Sequence, residues 1–112
     1  MDRSSDFRRI VLVSALLSGL VLAVFWPVAH FEFQSYDDQK YVTSNRVILG
    51  GLTWQGIAWA FETFHSSNWH PLTWISHMLD VQFFGLNPGA HHLVNLFLHL
   101  ANTLLLLLVL TE

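Results

Sequence analysis

The chain has 112 residues, of which 53% are hydrophobic and 12% are charged, and it contains no cysteine. Its length fits one ordinary domain, and its high hydrophobicity excludes a disordered chain. Five Lys and Arg against eight Asp and Glu give a net charge of −3, which argues against a nucleic-acid partner. The missing cysteines exclude disulfides and thiolate zinc sites. Because a soluble domain would carry about 25% charged residues, the composition favours a membrane protein.

The first apolar run covers residues 10–28 and contains no charge. As a helix that rises about 1.5 Å per residue, it would reach roughly 28 Å, close to the thickness of a bilayer core. Arginines within residues 1–9 are expected to hold the N-terminus in the cytoplasm. The alternative is a cleaved signal peptide. However, the run is longer than a usual signal-peptide core, and Phe25-Trp26-Pro27 is a poor approach to a cleavage site.

A second apolar run, residues 91–110, predicts another transmembrane helix. A polar stripe follows one face of this helix, at spacings of three, four and three residues, and consists of His92, Asn95, His99 and Asn102. Such a stripe cannot face lipid cheaply. It either forms hydrogen bonds with neighbouring helices or lines a wet cavity, and both cases need more than one partner helix.

Residues 29–90 are expected to form an extracytoplasmic loop with two helices that lie in the membrane interface. Thr53 should cap the first helix, which would run to about residue 64, and Pro71 should begin the second. Gly85 should end that second helix. The apolar positions expected on one face of each helix are Trp54, Ile57, Ala58 and Phe61 in the first, and Leu72, Ile75, Leu79 and Phe83 in the second.

The loop tryptophans fit an interfacial location, because Trp is enriched at the boundary between lipid and water. They are Trp54, Trp59, Trp69 and Trp74. The alternative for this segment is a small soluble helical hairpin. At the end of the loop, Asn87-Pro88 should begin the helix that continues into the second span, with Asn87 as its cap.

Two adjacent acids, Asp37 and Asp38, stand in a loop that has few others. Neighbouring negative charges raise each other's proton affinity, so one of the pair suits a general base or a metal ligand. The structural interpretation is a helix cap followed by an acid in the first turn, and spacing alone favours it.

A polar turn ringed by aromatic residues follows at Asn68-Trp69-His70-Pro71. Asn68 and His70 could bind an oxygen of a sugar or phosphate, and Trp69 could stack on a sugar face. The alternative is a rigid turn whose tryptophan is anchored among lipid headgroups. Spacing does not decide between the two interpretations.

Seven histidines raise the question of metal or haem binding. No pair has the i, i+4 spacing of a helical two-histidine site, and there is no H-E-x-x-H pattern. Metal or haem ligation is therefore a minority interpretation. The pairs at short spacing are His65/His70, His70/His77, His91/His92 and His92/His99.

These motifs form an ordered series along about residues 10 to 110. An Asp-Asp pair alone is weak evidence, whereas Asp-Asp, then N-W-H-P-L-T, then H-H-L-x-N is much more specific. The series comprises Phe33, Tyr36-Asp37-Asp38, Tyr41-Val42, Asn45, Trp59-Ala60-Phe61, Asn68-Trp69-His70-Pro71-Leu72-Thr73, Ser76-His77-Met78-Leu79-Asp80, Phe84-Gly85-Leu86-Asn87-Pro88, His91-His92-Leu93 and Asn95. It resembles the N-terminal part of the GT-C superfamily of integral-membrane glycosyltransferases. It looks most like the tetratricopeptide-repeat-containing transmembrane O-mannosyltransferase group and its bacterial relatives.

The resemblance implies an all-α membrane protein whose two transmembrane helices are joined by an extracytoplasmic loop with two interfacial helices. Such enzymes move a sugar from a polyprenyl-phosphate carrier to an acceptor, here a protein Ser or Thr or a glycan. By resemblance, Asp37 is the base that takes the acceptor proton. Asp38 orients that base or binds a divalent metal ion. The residues expected to bind donor or acceptor are Asn68, Trp69, His70, His91 and His92.

The departing phosphate needs positive charge, and the external side offers only Lys40 and Arg46. The sequence also ends soon after the second span, at Glu112, without the helices that the polar stripe needs. We therefore expect an N-terminal fragment or truncated product of a larger transferase, which is inactive alone. A bacterial inner membrane and the endoplasmic reticulum both fit.

Two other functions are open at this point. One is a complete two-span membrane protein that binds or scaffolds a partner without catalysis, using the polar stripe for its contacts. The other is a histidine-ligated haem anchor. A defined oligomer of the isolated chain would favour the first, and a haem band in its visible spectrum would favour the second.

Overall fold

The computed structural model describes residues 2–35 and 37–112. Within them the chain is helical and has no strand, which confirms the predicted all-α membrane fold. It divides into two compact units: a membrane unit, Met1–Ala29 with His92–Glu112, and a loop unit, His30–His91. The α-helices are α1 (Arg3–Phe25), α2 (Arg46–Leu49), α3 (Trp54–Glu62), α4 (Pro71–Phe84) and α5 (Pro88–Thr111).

The helices of the membrane unit are apolar and bury few of their side chains. Leu16 on α1 is 65% exposed and Leu110 on α5 is 75% exposed. A core helix of a soluble protein would be mostly buried, so this exposure favours contact with lipid. The segments Arg3–His30 and Pro88–Thr111 are long and apolar enough to cross a membrane. The exact limits of the spans, 10–28 and 91–110, and the cytoplasmic N-terminus stay predictions.

The core of the loop unit joins a short helical turn, Gln39–Thr43, to helices α2, α3 and α4. Asn45 connects the turn to α2. Its Oδ1 accepts hydrogen bonds from the backbone N–H groups of Val47 and Ile48, and its Nδ2 donates to the carbonyl of Lys40. A buried amide needs such partners, because an unpaired one would be costly. The buried apolar side chains are Val42, Ile48, Ala60, Trp74 and Met78.

The predicted helix boundaries in the loop unit agree with the structure to within two residues. The Thr53 hydroxyl oxygen accepts a 2.9 Å hydrogen bond from the Gly56 N–H at the start of α3. Gly85, which has a φ of +58°, ends α4. Asn87 Oδ1 accepts a hydrogen bond from the N–H of Ala90 in the first turn of α5. The residues that begin and end these helices can be predicted from the sequence, because each of them contacts only residues within one helical turn.

Helix α3 buries the face of its small residues and exposes its apolar face. Trp54 is 84% exposed and Phe61 is 50% exposed, whereas Gly56 and Ala60 face the core. The small residues allow α4 to approach closely, with Met78 packed against Gly56. The apolar face of α3 therefore points outward, as a helix in a membrane interface requires.

Helix α4 shows the same arrangement. Leu72 and Phe83 are exposed, while Trp74, Met78 and Asp80 are buried. The expected interfacial location is therefore wrong for Trp74, because this side chain is in the centre of the core. Its burial removes a large apolar surface from water.

The close approach of α3 and α4 generates a prediction for Gly56. A Cβ there would lie 2.9 Å from the Thr53 hydroxyl oxygen and 3.0 Å from Met78 Sδ. Gly56→Val is expected to destabilise the loop unit by about 1–3 kcal/mol. Urea unfolding in micelles, followed by tryptophan fluorescence, measures this. Gly50→Ala is the control, because its Cβ would meet no atom closer than 3.4 Å; equal losses in both variants would contradict the prediction.

Candidate functional site

Trp74 connects the aromatic residues of the loop unit from a fully buried position on α4. The Tyr41 ring stacks on it, with centroids 4.8 Å apart and an interplanar angle of 26°. The rings of Trp59 and His70 meet it edge-on at 5.2 and 4.8 Å. Trp74 therefore joins three distant parts of the sequence: residues 37–43, here called the acidic turn, helix α3, and residues 65–70, here called the Asn68 turn.

The two acids of the acidic turn have different surroundings. Asp38 Oδ2 accepts a 2.7 Å hydrogen bond from the backbone N–H of Gln34, and its side chain makes no capping bond to the turn that follows. Asp37 is exposed, and its backbone carbonyl accepts a hydrogen bond from the Tyr41 N–H. Asp38 therefore stabilises the local backbone, while the Asp37 carboxylate faces outward. Tyr36, the first residue of the motif, lies outside the described residues.

The Asn68 turn is held by side chains that the sequence assigns to ligand binding. Asn68 Nδ2 donates to the Ser66 carbonyl at 2.9 Å and to the Tyr41 hydroxyl at 3.4 Å. Trp69 Nε1 donates to the carbonyl of Phe61 at the end of α3, and 55% of the Trp69 side chain remains exposed. The indole nitrogen therefore fixes a tryptophan ring at the surface of the turn.

The backbone of this turn is in an uncommon conformation. Ser66 and Ser67 have φ values of +55° and +61°, in the left-handed region that non-glycine residues rarely adopt. The hydrogen bonds of Asn68 and Trp69 join this segment to Tyr41 and to the end of α3. Next to them, the Nε2 atom of His70 is buried and has no hydrogen-bond partner.

A second cluster of polar side chains lies within the loop unit, between α4 and the start of α5. His77 Nδ1 is 3.9 Å from Asp80 Oδ2, and His91 Nδ1 is 3.8 Å from the same oxygen. All three atoms are buried without a hydrogen-bond partner. The other nitrogen of His91, Nε2, is 2.7 Å from the carbonyl oxygen of Gly85. These three side chains, which we call the His–Asp cluster, have the composition of a metal site.

Burial changes the proton affinity of two members of the cluster. It raises the pKa of the Asp80 carboxyl, although the charge of His91 partly opposes this rise. Burial also lowers the pKa of His77; His91 and His70 lower it further, whereas Asp38 raises it. Both net shifts favour the uncharged side chain.

The predicted binding residues thus fall into three groups. Asn68 and His70 both contact Tyr41, so the Asn68 turn and the acidic turn lie together. His91 belongs to the His–Asp cluster, 3% exposed. His92, the next residue, belongs to the membrane unit, where it lines a shallow cavity of about 280 Å³ with Phe25, Val28, Asn95, Leu96 and His99.

The sequence interpretation missed the contributions of Tyr41, His77 and Asp80. The i, i+3 spacing of His77 and Asp80 was a visible signal, because it places both side chains on one face of a helix. The pairing of His77 with His91 was not visible at short spacing. It depends on the turn at Gly85, which brings the first turn of α5 back to α4.

Comparison with known proteins finds no matching family model and no matching solved structure. The chain is similar to protein O-mannosyl-transferase TMTC2 of Mus musculus and of Homo sapiens, with 31% identity over 100 residues in each. The corresponding protein of Xenopus laevis shows the same identity. The matches cover 83% of this chain and 12% of the length of each relative. They support a relationship between this chain and one segment of those proteins.

The bond from Trp69 to α3 generates a prediction. Trp69→Phe keeps an aromatic ring and loses the hydrogen bond to the Phe61 carbonyl, which is worth about 0.5–1.5 kcal/mol. Hydrogen exchange over residues 63–70 is therefore expected to become roughly two- to twelvefold faster. Trp54→Phe is the control, because Trp54 is 84% exposed. Unchanged exchange in Trp69→Phe would show that this bond does not hold the Asn68 turn.

Proposed function

We propose that this chain is the N-terminal part of a membrane glycosyltransferase of the GT-C type. It transfers a sugar from a polyprenyl-phosphate carrier to an acceptor hydroxyl outside the cytoplasm. The observation that carries the proposal is the 31% identity over 100 residues to protein O-mannosyl-transferases. Because those relatives are protein O-mannosyl-transferases, mannose is the first sugar to test and a protein Ser or Thr the first acceptor. The convergence of the acidic turn and the Asn68 turn at Trp74 supports it.

Asp37 acts as the base in this proposal. Its carboxylate is exposed, whereas Asp38 is bonded to the backbone of Gln34. Asp37 takes the proton of the acceptor hydroxyl as the acceptor oxygen forms a bond to the anomeric carbon of the sugar. The bond from that carbon to the carrier phosphate breaks, and the phosphate leaves with the electron pair. Asp38 holds the turn in position, and it would be the ligand of a divalent ion, which would supply positive charge for the departing phosphate.

The sugar is bound next to this base. The exposed ring of Trp69 offers a flat apolar face, and its nitrogen is already bonded to Phe61, so the ring is held before a ligand arrives. Asn68 and His70, which both contact Tyr41, supply polar groups beside it. His91 is buried, so its role is to position α5 rather than to touch the sugar.

The membrane unit provides the environment of the lipid carrier. His92, Asn95 and His99 line a cavity together with the apolar side chains of Phe25 and Val28. In the proposal, further transmembrane helices of a longer chain cover this stripe, with the N-terminus in the cytoplasm and the loop unit outside. The proposed location is the endoplasmic reticulum membrane or the bacterial inner membrane.

The base assignment is tested on the full-length protein, expressed in cell membranes and isolated through an affinity tag. Asp37→Asn is expected to lower kcat for mannosyl transfer from polyprenyl-phosphate mannose by about 10²–10⁴-fold, because the acceptor loses its base. Glu62→Gln, an exposed carboxylate of the same unit, is the control and should keep full activity. The 112-residue chain alone is expected to give no transfer. Full activity of Asp37→Asn would refute the assignment.

A second candidate is a two-span scaffold, which the exposure of Asn95, His99 and Asn102 favours. Such polar side chains on a membrane helix need partner helices, and copies of this chain would provide them. Blotting native membranes with an antibody to the acidic turn gives the size of the native product, which distinguishes the two functions. A native product far larger than 12.8 kDa supports the transferase, and one of 12.8 kDa supports the scaffold.

A further inference from the structure

The His–Asp cluster contains three buried polar atoms that face one another and have no other partner. These are His77 Nδ1, Asp80 Oδ2 and His91 Nδ1, which lie within 4.8 Å of one another. Asp80 is 4% exposed and His91 is 3% exposed, so water does not surround the charged or polar groups. Buried polar atoms are rarely left without a partner, and three that converge on one point indicate something held between them.

The hydrogen bond of His91 fixes which of its nitrogens can act as a ligand. Nε2 is 2.7 Å from the Gly85 carbonyl oxygen, which is an acceptor only, so Nε2 must carry a proton. In the neutral ring, Nδ1 then carries a lone pair, and this nitrogen is 3.8 Å from Asp80 Oδ2. Two electron-rich atoms facing each other need positive charge between them. A proton or a metal ion can provide it.

We propose that His77 Nδ1, Asp80 Oδ2 and His91 Nδ1 bind a divalent transition-metal ion, Zn²⁺ in the first instance. Imidazole and carboxylate ligands suit this ion, whereas Mg²⁺ and Ca²⁺ prefer oxygen ligands alone. The bond from His91 to the Gly85 carbonyl matches the outer contact that metal-bound histidines usually make. This site goes beyond the proposed function, because it requires no sugar chemistry, and it does not include Asp38.

The geometry needs a small contraction to hold the ion. Ligand atoms around tetrahedral zinc, at bond lengths of about 2.0–2.1 Å, are separated by about 3.4 Å. His77 Nδ1 and His91 Nδ1 are 3.9 and 3.8 Å from Asp80 Oδ2, so each histidine has to approach Asp80 by about half an ångström. All three atoms lie within 4.8 Å of one another, so the two histidine nitrogens have to close on each other by at most about 1.4 Å. Three protein ligands leave the fourth position open.

The metal would join α4 to the first turn of α5 within the loop unit. His77 and Asp80 lie one turn apart on α4, and His91 follows the Gly85 turn on α5. In the unfolded chain these side chains are not held together, so binding stabilises the folded loop unit. Removal of the ion should loosen the segment around Gly85.

The test uses the 112-residue chain without a polyhistidine tag, purified in micelles and treated with a chelator. Titration with Co²⁺ is expected to produce visible absorption bands at one ion per chain, and Zn²⁺ should then displace the cobalt. Mg²⁺ should not displace it. The variants His77→Ala, Asp80→Asn and His91→Ala should each weaken Co²⁺ binding by at least about 100-fold.

His30→Ala is the matched control, because His30 is an exposed histidine outside the cluster, and it should bind Co²⁺ as the unaltered chain does. Circular dichroism confirms that each variant is folded. If Asp80→Asn or His91→Ala unfolds, His77→Ala decides, since it removes the least buried ligand. Absence of Co²⁺ bands in the unaltered chain, or unchanged binding in His77→Ala, would overturn the proposal and leave a shared proton as the positive charge in the cluster.

Discussion

The stacking of Tyr41 on Trp74 is the contact on which the loop unit depends. It joins the acidic turn to α4, and the edge contacts of Trp59 and His70 with the same indole add α3 and the Asn68 turn. A buried tryptophan removes a large apolar area from water, and its aromatic contacts add to that gain. In a unit with few buried side chains, one such residue sets the relative positions of the segments that carry the candidate site.

The two faces of the loop unit differ in what they contact. Its inner face contains the small residues of α3 and the large side chains of α4, whereas Trp54, Leu72 and Phe83 remain exposed. So much exposed apolar surface would be unfavourable in a soluble domain. It fits the predicted location of these helices along a membrane, where lipid would cover the outer face while protein fills the inner one. The low charge of the loop fits the same prediction.

The sequence predicted what depends on neighbours along the chain. The cap at Thr53, the start of α4 at Pro71 and its end at Gly85 are each set within one turn, and all three agree with the structure. It did not predict which residues bring α3 and α4 into contact, because that contact depends on Gly56 accepting Met78. The His–Asp cluster was missed for a similar reason, since His91 reaches Asp80 only through the turn at Gly85.

The two serines with positive φ have an energetic consequence for any ligand of the Asn68 turn. A left-handed conformation costs a residue with a side chain about 1–2 kcal/mol, which the contacts of the turn must offset. A molecule that displaces Asn68 from the Ser66 carbonyl would remove a hydrogen bond worth about 0.5–1.5 kcal/mol and would let one serine return to a relaxed conformation. These two changes are of similar size and opposite sign. The turn can therefore rearrange around a ligand at little net cost, because the strain released by the backbone offsets the lost hydrogen bond.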